Sequence, residues 1–327
     1  MAARSKSSSV ASPRWATPPT DGRPNRLDEF VRISRRLGIE LMPWQRRIVE
    51  VGTEYDPGTG LPFFRDVICT VPRQSGKSAL VLCWEVHRAL MWGKPQRIVY
   101  TAQTGWDARR KLIDDHAPML ERNLGPAVKR VLRGAGNESV VFAEKFGSRI
   151  DVQATSVDAG HGRTLDLAII DEAFSDTDDR REQALLPAMA TRPDAQLLVF
   201  STAGDQTSAY LRRKVDAGRA SVESGKREGI AYFEYSAPED ADPDDRKVWW
   251  SCMPALGETI TEGVVAHARD TMSDGEFRRA YLNQWVSHQE QLIPQSAWAD
   301  VQDSSAVVEG RRVFGVSAAM DRSASAI

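Results

Sequence analysis

Residues 68–78, ICTVPRQSGKS, decide the fold of this chain. An apolar run ends there in a turn and in Gly76-Lys77-Ser78, and the helix-forming segment ALVLCWEVHRAL follows directly. A strand, a tight turn and a helix N-terminus make up the layout of a phosphate-binding loop. In such a loop, backbone N–H groups and the positive end of the helix dipole favour a bound polyphosphate. The segment therefore predicts a nucleotide site.

The side chains of this loop suit that prediction. Lys77 would reach the β- and γ-phosphates of a nucleotide, and the Ser78 hydroxyl would bind Mg²⁺. Arg73, also in the loop, could contact phosphate oxygens or pair with a neighbouring acid. The usual pattern begins with glycine, whereas Val71 stands at that position here. Because a Gly-Lys-Ser tripeptide also occurs by chance, the prediction depends on a second motif downstream.

The second motif is LDLAIIDEA at residues 165–173. A largely apolar run that ends in two carboxylates indicates a buried parallel strand with Asp171 and Glu172 at its C-terminal end. Loop and acids would then share the carboxyl edge of one sheet, where open α/β folds bind ligands. Asp171 would hold Mg²⁺, directly or through water, and Glu172 would polarise the water that attacks the γ-phosphate. A strand ending in solvated acids is the alternative, but the two motifs together favour nucleotide hydrolysis.

Composition sets wider limits on the function. Hydrophobic residues make up 41% of the 327 positions and charged residues 27%, as in ordinary soluble proteins. The three cysteines lack metal-ligand spacing, so neither a zinc site nor a disulfide framework is indicated. No apolar run is long enough to span a bilayer, and we expect a cytoplasmic protein with no membrane contact. Because the net charge is only −2, any contact with nucleic acid must use a local basic patch.

The order of the predicted elements indicates an α/β fold. Residues 1–25 are rich in Ser, Pro and Arg and suggest a disordered tail. Strand-like and helical segments then alternate, which favours a mainly parallel sheet covered on both faces by helices. Together with the phosphate-binding loop, this order predicts a P-loop NTPase fold. The strand-like runs are at 66–71, 97–102, 139–143, 149–154, 166–171, 196–202 and 230–236. The pair 139–143 and 149–154 looks like an antiparallel hairpin.

The C-terminal part of the chain has a different character. After a core at 26–240, helices predicted around 245–252, 261–272 and 274–287 suggest a small helical subdomain at 241–290. A linker would follow at 291–310, and residues 311–327 would begin a new strand.

Three further positions could carry chemistry. The Gln45 amide can both donate to and accept from an adenine edge, although a solvated helix glutamine is the plainer interpretation. Arg163 lies on a glycine-flanked loop and could stabilise charge in a neighbouring subunit, or simply be a surface arginine. Ser201-Thr202 ends a strand that should lie beside the loop strand. These hydroxyl groups could sense the γ-phosphate or cap a turn.

Taken together, these residues resemble the large subunit of tailed-phage terminase, the ATPase that packages DNA into procapsids. The resemblance extends over roughly residues 27–320. It rests on MPWQRRIVE, VPRQSGKS, RIVYTAQT, LDLAIIDEA, LLVFSTAG and FRRAYLNQW, in this order.

The resemblance also implies roles for single residues. It assigns Gln45 to adenine recognition, Asp171 and Glu172 to the Walker B pair, and Ser201 and Thr202 to the coupling motif. It raises Arg163 as an arginine acting in trans. The Walker A loop would consist of Arg73, Gln74, Ser75, Gly76, Lys77 and Ser78.

The function that this resemblance implies is hydrolysis of ATP with Mg²⁺ to drive double-stranded DNA into a procapsid. The expected partners are DNA, a portal protein, a small terminase subunit and further copies of the chain in a ring. The family also has an RNase-H-like nuclease domain, of which only a first strand is recognisable, with Ser317 in place of the expected metal-binding Asp. We therefore expect no nuclease activity. A helicase-like P-loop ATPase and a non-functional prophage remnant are the alternatives.

Overall fold

A computed structural model describes residues 11–153, 164–225, 229–286, 317–318 and 325–326. The chain divides into two units, Met1–His288 and Gln289–Ile327. Within the second unit, Ser317–Ala318 pairs with Ser325–Ala326 as a short antiparallel ladder. The first unit contains the predicted loop and acidic strand.

The first unit is built on one nine-stranded sheet, with the order β1-β9-β2-β8-β7-β3-β6-β5-β4. The six strands from β9 to β6 are parallel, and β1, β5 and β4 run antiparallel to their neighbours. The predicted hairpin is confirmed as β5–β6. The strands are β1 (Trp15–Ala16), β2 (Phe64–Thr70), β3 (Arg97–Thr101), β4 (Val128–Leu132), β5 (Ser139–Phe142), β6 (Arg149–Val152), β7 (Leu167–Asp171), β8 (Gln196–Ser201) and β9 (Gly229–Glu234).

Helices cover both faces of this sheet, as the alternating pattern predicts. Side chains of successive strand residues point to opposite faces. Accordingly, Val67 and Cys69 belong to one buried cluster, and Ile68 between them belongs to another. The α/β fold with a mainly parallel sheet is thus confirmed. The helices are α1 (Leu27–Arg36), α2 (Pro43–Gly52), α3 (Lys77–Met91), α4 (Gly105–Arg110), α5 (Ala117–Leu124), α6 (Arg180–Met189), α7 (Ala209–Glu223), α8 (Arg246–Cys252), α9 (Glu262–Thr271) and α10 (Asp274–Tyr281).

The three strands that matter for function are adjacent and in register. Strand β8 lies between β2 and β7, and Thr70 of β2 pairs with Ser201 of β8. Asp171, the last residue of β7, pairs with Phe200. Because all three strands are parallel, their carboxyl ends lie at one sheet edge, and the prediction that loop and acids share this edge is confirmed.

The N-terminal segment has a structure that its composition does not predict. The prediction of disorder fails for residues 11–25, because β1 pairs with β9 at the sheet edge. Arg14 N donates to Glu234 O at 2.7 Å, and Thr17 N donates to Tyr232 O at 2.9 Å. Trp15 also packs against a buried cluster of the sheet. An open edge strand offers unpaired backbone groups, and this tertiary demand overrides the polar composition of the segment.

The C-terminal helical subdomain has a cluster of its own, which includes Trp249 and Phe277. Helix α10 ends at Tyr281 rather than at the predicted 287. The cause is Asn283, which adopts a left-handed φ of 54° and uses its side chain to bond Ala203 N and Tyr235 O. Across the described residues, no helix combines the length and apolar character that a membrane crossing requires.

Candidate active site

The loop between β2 and α3 is held in a conformation that explains its residue types. Gly76 has φ +91°, and a Cβ there would lie 3.1 Å from Gln45 Nε2, so the position favours glycine for two reasons. Val71 lies where the usual pattern has glycine. It has no positive φ, packs in the core, and donates its N–H to Ser201 O at 3.0 Å. A β-branched residue is therefore accommodated without strain at that position.

Two polar groups of the loop are buried and have few hydrogen-bond partners among the described residues. Lys77 is only 7% exposed, and its Nζ donates to the neutral Thr202 hydroxyl at 3.4 Å. The Ser75 hydroxyl is buried and has no hydrogen-bond partner among the residues that the structure describes. Burying an ammonium group is costly unless a counter-charge accompanies it. The loop therefore has the donors of an anion site.

On the acidic side of the site, Asp171 already has hydrogen-bond partners within the protein. Asp171 is 4% exposed, and its Oδ2 accepts a hydrogen bond from the Tyr100 hydroxyl at 2.7 Å. Its Oδ1 accepts from Glu172 N at 3.0 Å, and its carbonyl accepts from Arg181 Nη1 at 3.0 Å. Burial raises the pKa of Tyr100 well above its usual value, so the hydroxyl stays a donor. The orientation of the Asp171 carboxylate is thus fixed.

Glu172 follows in an unusual conformation. Its φ is +55°, in the left-handed region that a non-glycine residue seldom occupies, and such positions cluster at functional sites. Burial raises the pKa of Glu172, the Asp171 charge adds to the rise, and the positive charge of Lys77 opposes it. A glutamate with a raised pKa accepts a proton more readily than an exposed one.

Residues at the end of β8 connect the loop, the acids and the helical subdomain. The Ser201 hydroxyl accepts from Phe174 N at 2.9 Å, and the Thr202 hydroxyl accepts from Lys77. Ala203 N donates to Asn283 Oδ1 at 2.6 Å. The predicted position of Ser201 and Thr202 beside the loop is therefore confirmed, and residues 201–203 together contact the loop, the segment after the acidic strand and the segment after α10.

A cavity of about 340 Å³ opens beside these groups. Ser78, Asp171 and Glu172 all line it, so the two predicted Mg²⁺ ligands face the same space. Sequence reasoning missed the rest of its wall, which comes from β3, α4 and the π-helical turn Lys111–His116. Those remaining residues are Tyr100, Ala102, Gln103, Asp107, Arg110, Lys111 and Asp115. The stretch RIVYTAQT was the available signal, since it ends a strand at the same sheet edge.

Gln45 and Arg163 are the two remaining residues that were predicted for the site. Gln45 is not a solvated helix glutamine, because it is 1% exposed. Its Oε1 accepts from Met42 N at 2.8 Å, and its Nε2 donates to Gly76 O at 2.9 Å. Both ends of the amide are thus engaged, one of them on the loop itself. Arg163 lies outside the described residues.

Comparisons with known proteins agree with this architecture. A model of the family described as "Terminase large subunit, T4likevirus-type, N-terminal" matches residues 68–212, which span the loop, the acidic strand and β8. The large terminase subunit of Enterobacteria phage HK97 is 30% identical over 145 residues, which cover 42% of this chain and 28% of that protein. The chain therefore resembles terminase large subunits in the segment that carries the site.

Solved structures extend the likeness in fold beyond this segment. The HK97 bacteriophage large terminase has a TM-score of 0.68 at 21% identity, covering 80% of this chain and 56% of that one. The ATPase domain of the Thermus phage P74-26 large terminase has a TM-score of 0.54 at 20% identity, covering 81% and 100%. The large terminase of a thermophilic bacteriophage, solved in complex with ADP, has a TM-score of 0.54 at 14% identity, covering 76% and 54%. The chain thus has the fold of large terminase ATPase domains, and it spans little more than half of the HK97 structure.

Proposed function

We propose that this chain is the ATPase part of a phage terminase large subunit. In this proposal it hydrolyses ATP with Mg²⁺ to move double-stranded DNA into a procapsid. The observation that carries the proposal is the juxtaposition of two kinds of group in one site. Within the described part of the chain, the buried Lys77 forms no salt bridge and the buried Ser75 hydroxyl has no hydrogen-bond partner, and both residues lie at the same sheet edge as Glu172 and the firmly held Asp171. In this proposal the phosphates of a nucleoside triphosphate bind to the donors of the loop, and the acids supply the means to hydrolyse it.

The loop residues bind the phosphates. Lys77 neutralises charge on the β- and γ-phosphates, and the Ser75 hydroxyl gains a phosphate oxygen as acceptor. The N-terminus of the 15-residue helix α3 adds its dipole to this attraction. Arg73 and Gln74 are exposed on the loop and can close over the nucleotide. Thr202, already in contact with Lys77, and its neighbour Ser201 are placed to respond when the terminal phosphate leaves.

Ser78 and Asp171 are the residues that would hold Mg²⁺. A hydroxyl and a carboxylate are the hard oxygen ligands that this ion prefers, and both face the same cavity. Among the described residues, no group of three His, Cys, Asp or Glu side chains could hold a metal unaided. When bound, Mg²⁺ neutralises charge on the phosphate oxygens.

Glu172 orients the attacking water and accepts its proton. Burial raises the pKa of Glu172, which makes its carboxylate a stronger base, while the positive charge of Lys77 opposes that rise. Arg163 would then stabilise the transferred phosphoryl group of a neighbouring subunit in a ring. Gln45, which is held against the loop by its hydrogen bond to Gly76 O, would contribute to adenine recognition.

The HK97 relative is named a large terminase subunit, and the fold matches structures of large terminases, which favours packaging over other P-loop activities. The proposed partners are double-stranded DNA, a portal protein and a small terminase subunit, in the host cytoplasm. A helicase-like ATPase and a remnant without turnover are the competing functions.

One assay separates these functions. We would measure ATP hydrolysis by the purified chain over a range of protein concentrations, with and without double-stranded DNA. A packaging ATPase should be stimulated by DNA, and its rate per subunit should rise as subunits assemble. Separation of the DNA strands would instead support a helicase. Absence of hydrolysis under every condition would support an inactive remnant.

A further inference from the structure

Helix α10 places a second arginine beside the phosphate loop. The guanidinium carbon of Arg279 lies 5.5 Å from the centroid of the Phe174 ring, and that of Arg73 lies 5.7 Å from the same centroid. Phe174 is only two residues beyond Glu172. Both arginines are close enough for their charges to interact with Glu172. Two positive side chains from different parts of the fold thus lie close to Glu172, the proposed catalytic acid.

Neither arginine forms a salt bridge within the part of the chain that the structure describes. Among the described residues, no carboxylate oxygen lies within 4 Å of either guanidinium group. The neighbouring Arg278 provides a contrast, because it donates to Asp274 Oδ2 at 2.6 Å and to Ala241 O at 3.1 Å. Burial lowers the pKa of Arg279 and the charge of Arg73 lowers it further, although the charges of Asp205, Glu276 and Glu172 act in the opposite direction. An anion between the two arginines would relieve this repulsion.

A backbone hydrogen bond joins the two segments that carry these arginines. Arg73 N donates to Ala280 O at 2.7 Å, so the loop and the end of α10 are joined one residue away from Arg279. The segment after α10 is joined to the end of β8 through Asn283 and Ala203. The helical subdomain therefore contacts the loop from one side and the coupling residues from the other.

We propose that Arg279 binds the γ-phosphate of ATP together with Arg73, so that the helical subdomain distinguishes a triphosphate from a diphosphate. This inference rests on the proposed ATPase function. A guanidinium group presents its N–H donors in a planar fork that matches two oxygens of one phosphate. ADP has no γ-phosphate, so it forms no such contact. The position of α10 on the loop then depends on whether the terminal phosphate is present.

The test compares the dissociation constants of ATPγS and ADP, with Mg²⁺, by titration calorimetry. Arg279→Gln should weaken ATPγS binding by about ten- to a hundredfold, the usual effect of losing a charged hydrogen bond, and should leave ADP binding unchanged. Arg279→Lys should keep part of the preference for ATPγS, since it retains the charge without the fork.

Arg269→Gln is the matched control. Arg269 belongs to the same subdomain, and its guanidinium carbon also lies 5.5 Å from a ring centroid, that of Phe277. It is already paired with Asp244 at 2.8 Å and Asp274 at 2.9 Å, so its loss should not alter the ATPγS-to-ADP ratio. A thermal unfolding curve for each variant reports damage to the fold.

Three outcomes would overturn the inference. Arg279→Gln could weaken both nucleotides equally, it could leave both unchanged, or Arg269→Gln could give the same selective loss. In these cases the wild-type chain still binds ATPγS, and the proposed function stands. If the wild-type chain binds neither nucleotide, the proposed function fails and this inference fails with it.

Discussion

The two sides of the candidate active site, the acidic residues and the loop, differ in how far the protein satisfies their polar groups. On the acidic side, both Asp171 oxygens have donors, and the carboxylate cannot turn without breaking one of two hydrogen bonds. On the loop side, Lys77 has one long contact to a neutral hydroxyl, and the buried Ser75 hydroxyl has no partner within the described structure. The acidic side is thus held by internal hydrogen bonds, whereas the buried donors of the loop side have only one long contact among the described residues.

This difference indicates which of the two sides serves nucleotide binding and which serves catalysis in the proposed reaction. Groups that must be in place during the reaction gain from preorganisation, because they need not reorganise when charge develops. Groups that bind a phosphate gain from being left without a partner, since no internal contact then has to be broken. The comparison predicts that substitutions on the loop side affect binding, while those on the acidic side affect turnover.

The largest effect should come from Lys77→Ala. The loop would lose its buried ammonium group, and we expect nucleotide binding to weaken severely and hydrolysis to fall to background. Phosphate release and ATPγS titration measure the two quantities. Lys94→Ala is the control, because Lys94 is about half exposed and pairs with Asp194 at 2.9 Å. Hydrolysis by the Lys77→Ala variant at the wild-type rate would contradict the assignment of this loop to the nucleotide site.

Glu172→Gln should separate binding from turnover. The amide cannot accept a proton from water, so hydrolysis should fall by about 10²- to 10⁴-fold while ATPγS still binds. Asp171→Asn should instead raise the Mg²⁺ concentration needed for ATP binding. Exposed Glu258 provides the control Glu258→Gln. If the two acidic variants behaved alike and both hydrolysed ATP, the acids would be structural only.

Arg163→Ala tests whether the loop side receives charge from another subunit. We expect hydrolysis to fall by about ten- to a hundredfold where subunits assemble, with little change where they do not. Mixing Arg163→Ala with Glu172→Gln should restore part of the activity, since each variant supplies what the other lacks. No recovery in confirmed mixed assemblies would place Arg163 within its own subunit or outside catalysis.

The smallest effect should come from Tyr100→Phe, which removes one donor from Asp171. Loss of this hydrogen bond should raise the Mg²⁺ requirement several-fold and destabilise the fold by about 1 kcal/mol. Tyr210→Phe is the matched control, because the Tyr210 hydroxyl is buried and has no hydrogen-bond partner in the described part of the chain. Its removal should not reduce stability. Equal effects of the two substitutions would mean that the Tyr100 hydroxyl does not position Asp171.

The sequence allowed prediction of the parts of this site that local pattern controls. Apolar runs that end in Gly76-Lys77-Ser78 or in Asp171-Glu172 locate strand ends, and parallel pairing brings such ends to one edge. Contacts between residues that are far apart in the sequence produce no such local pattern. The Tyr100 hydroxyl reaches Asp171 across 71 positions, and Arg279 approaches the loop through tertiary packing of a helix that itself ends earlier than its pattern predicts.

The same limit explains the N-terminal segment. Its composition is that of a disordered tail, and only the open edge of β9 gives Trp15–Ala16 a strand to pair with. Gln45 is a comparable case, because its burial depends on the loop that packs against it. In each case the deciding partner is far away in sequence.

A structure of the chain with Mg²⁺ and ATPγS would test the central claim most directly. We predict the β- and γ-phosphates on residues 73–78, with Lys77 and the Ser75 hydroxyl in contact with them. Mg²⁺ should lie on Ser78 and Asp171, with the Tyr100–Asp171 hydrogen bond unchanged and Arg279 on the γ-phosphate. Nucleotide bound elsewhere, or an Asp171 carboxylate that turns away from Tyr100 to pair with Lys77, would contradict the division between a complete acidic side and an incomplete loop.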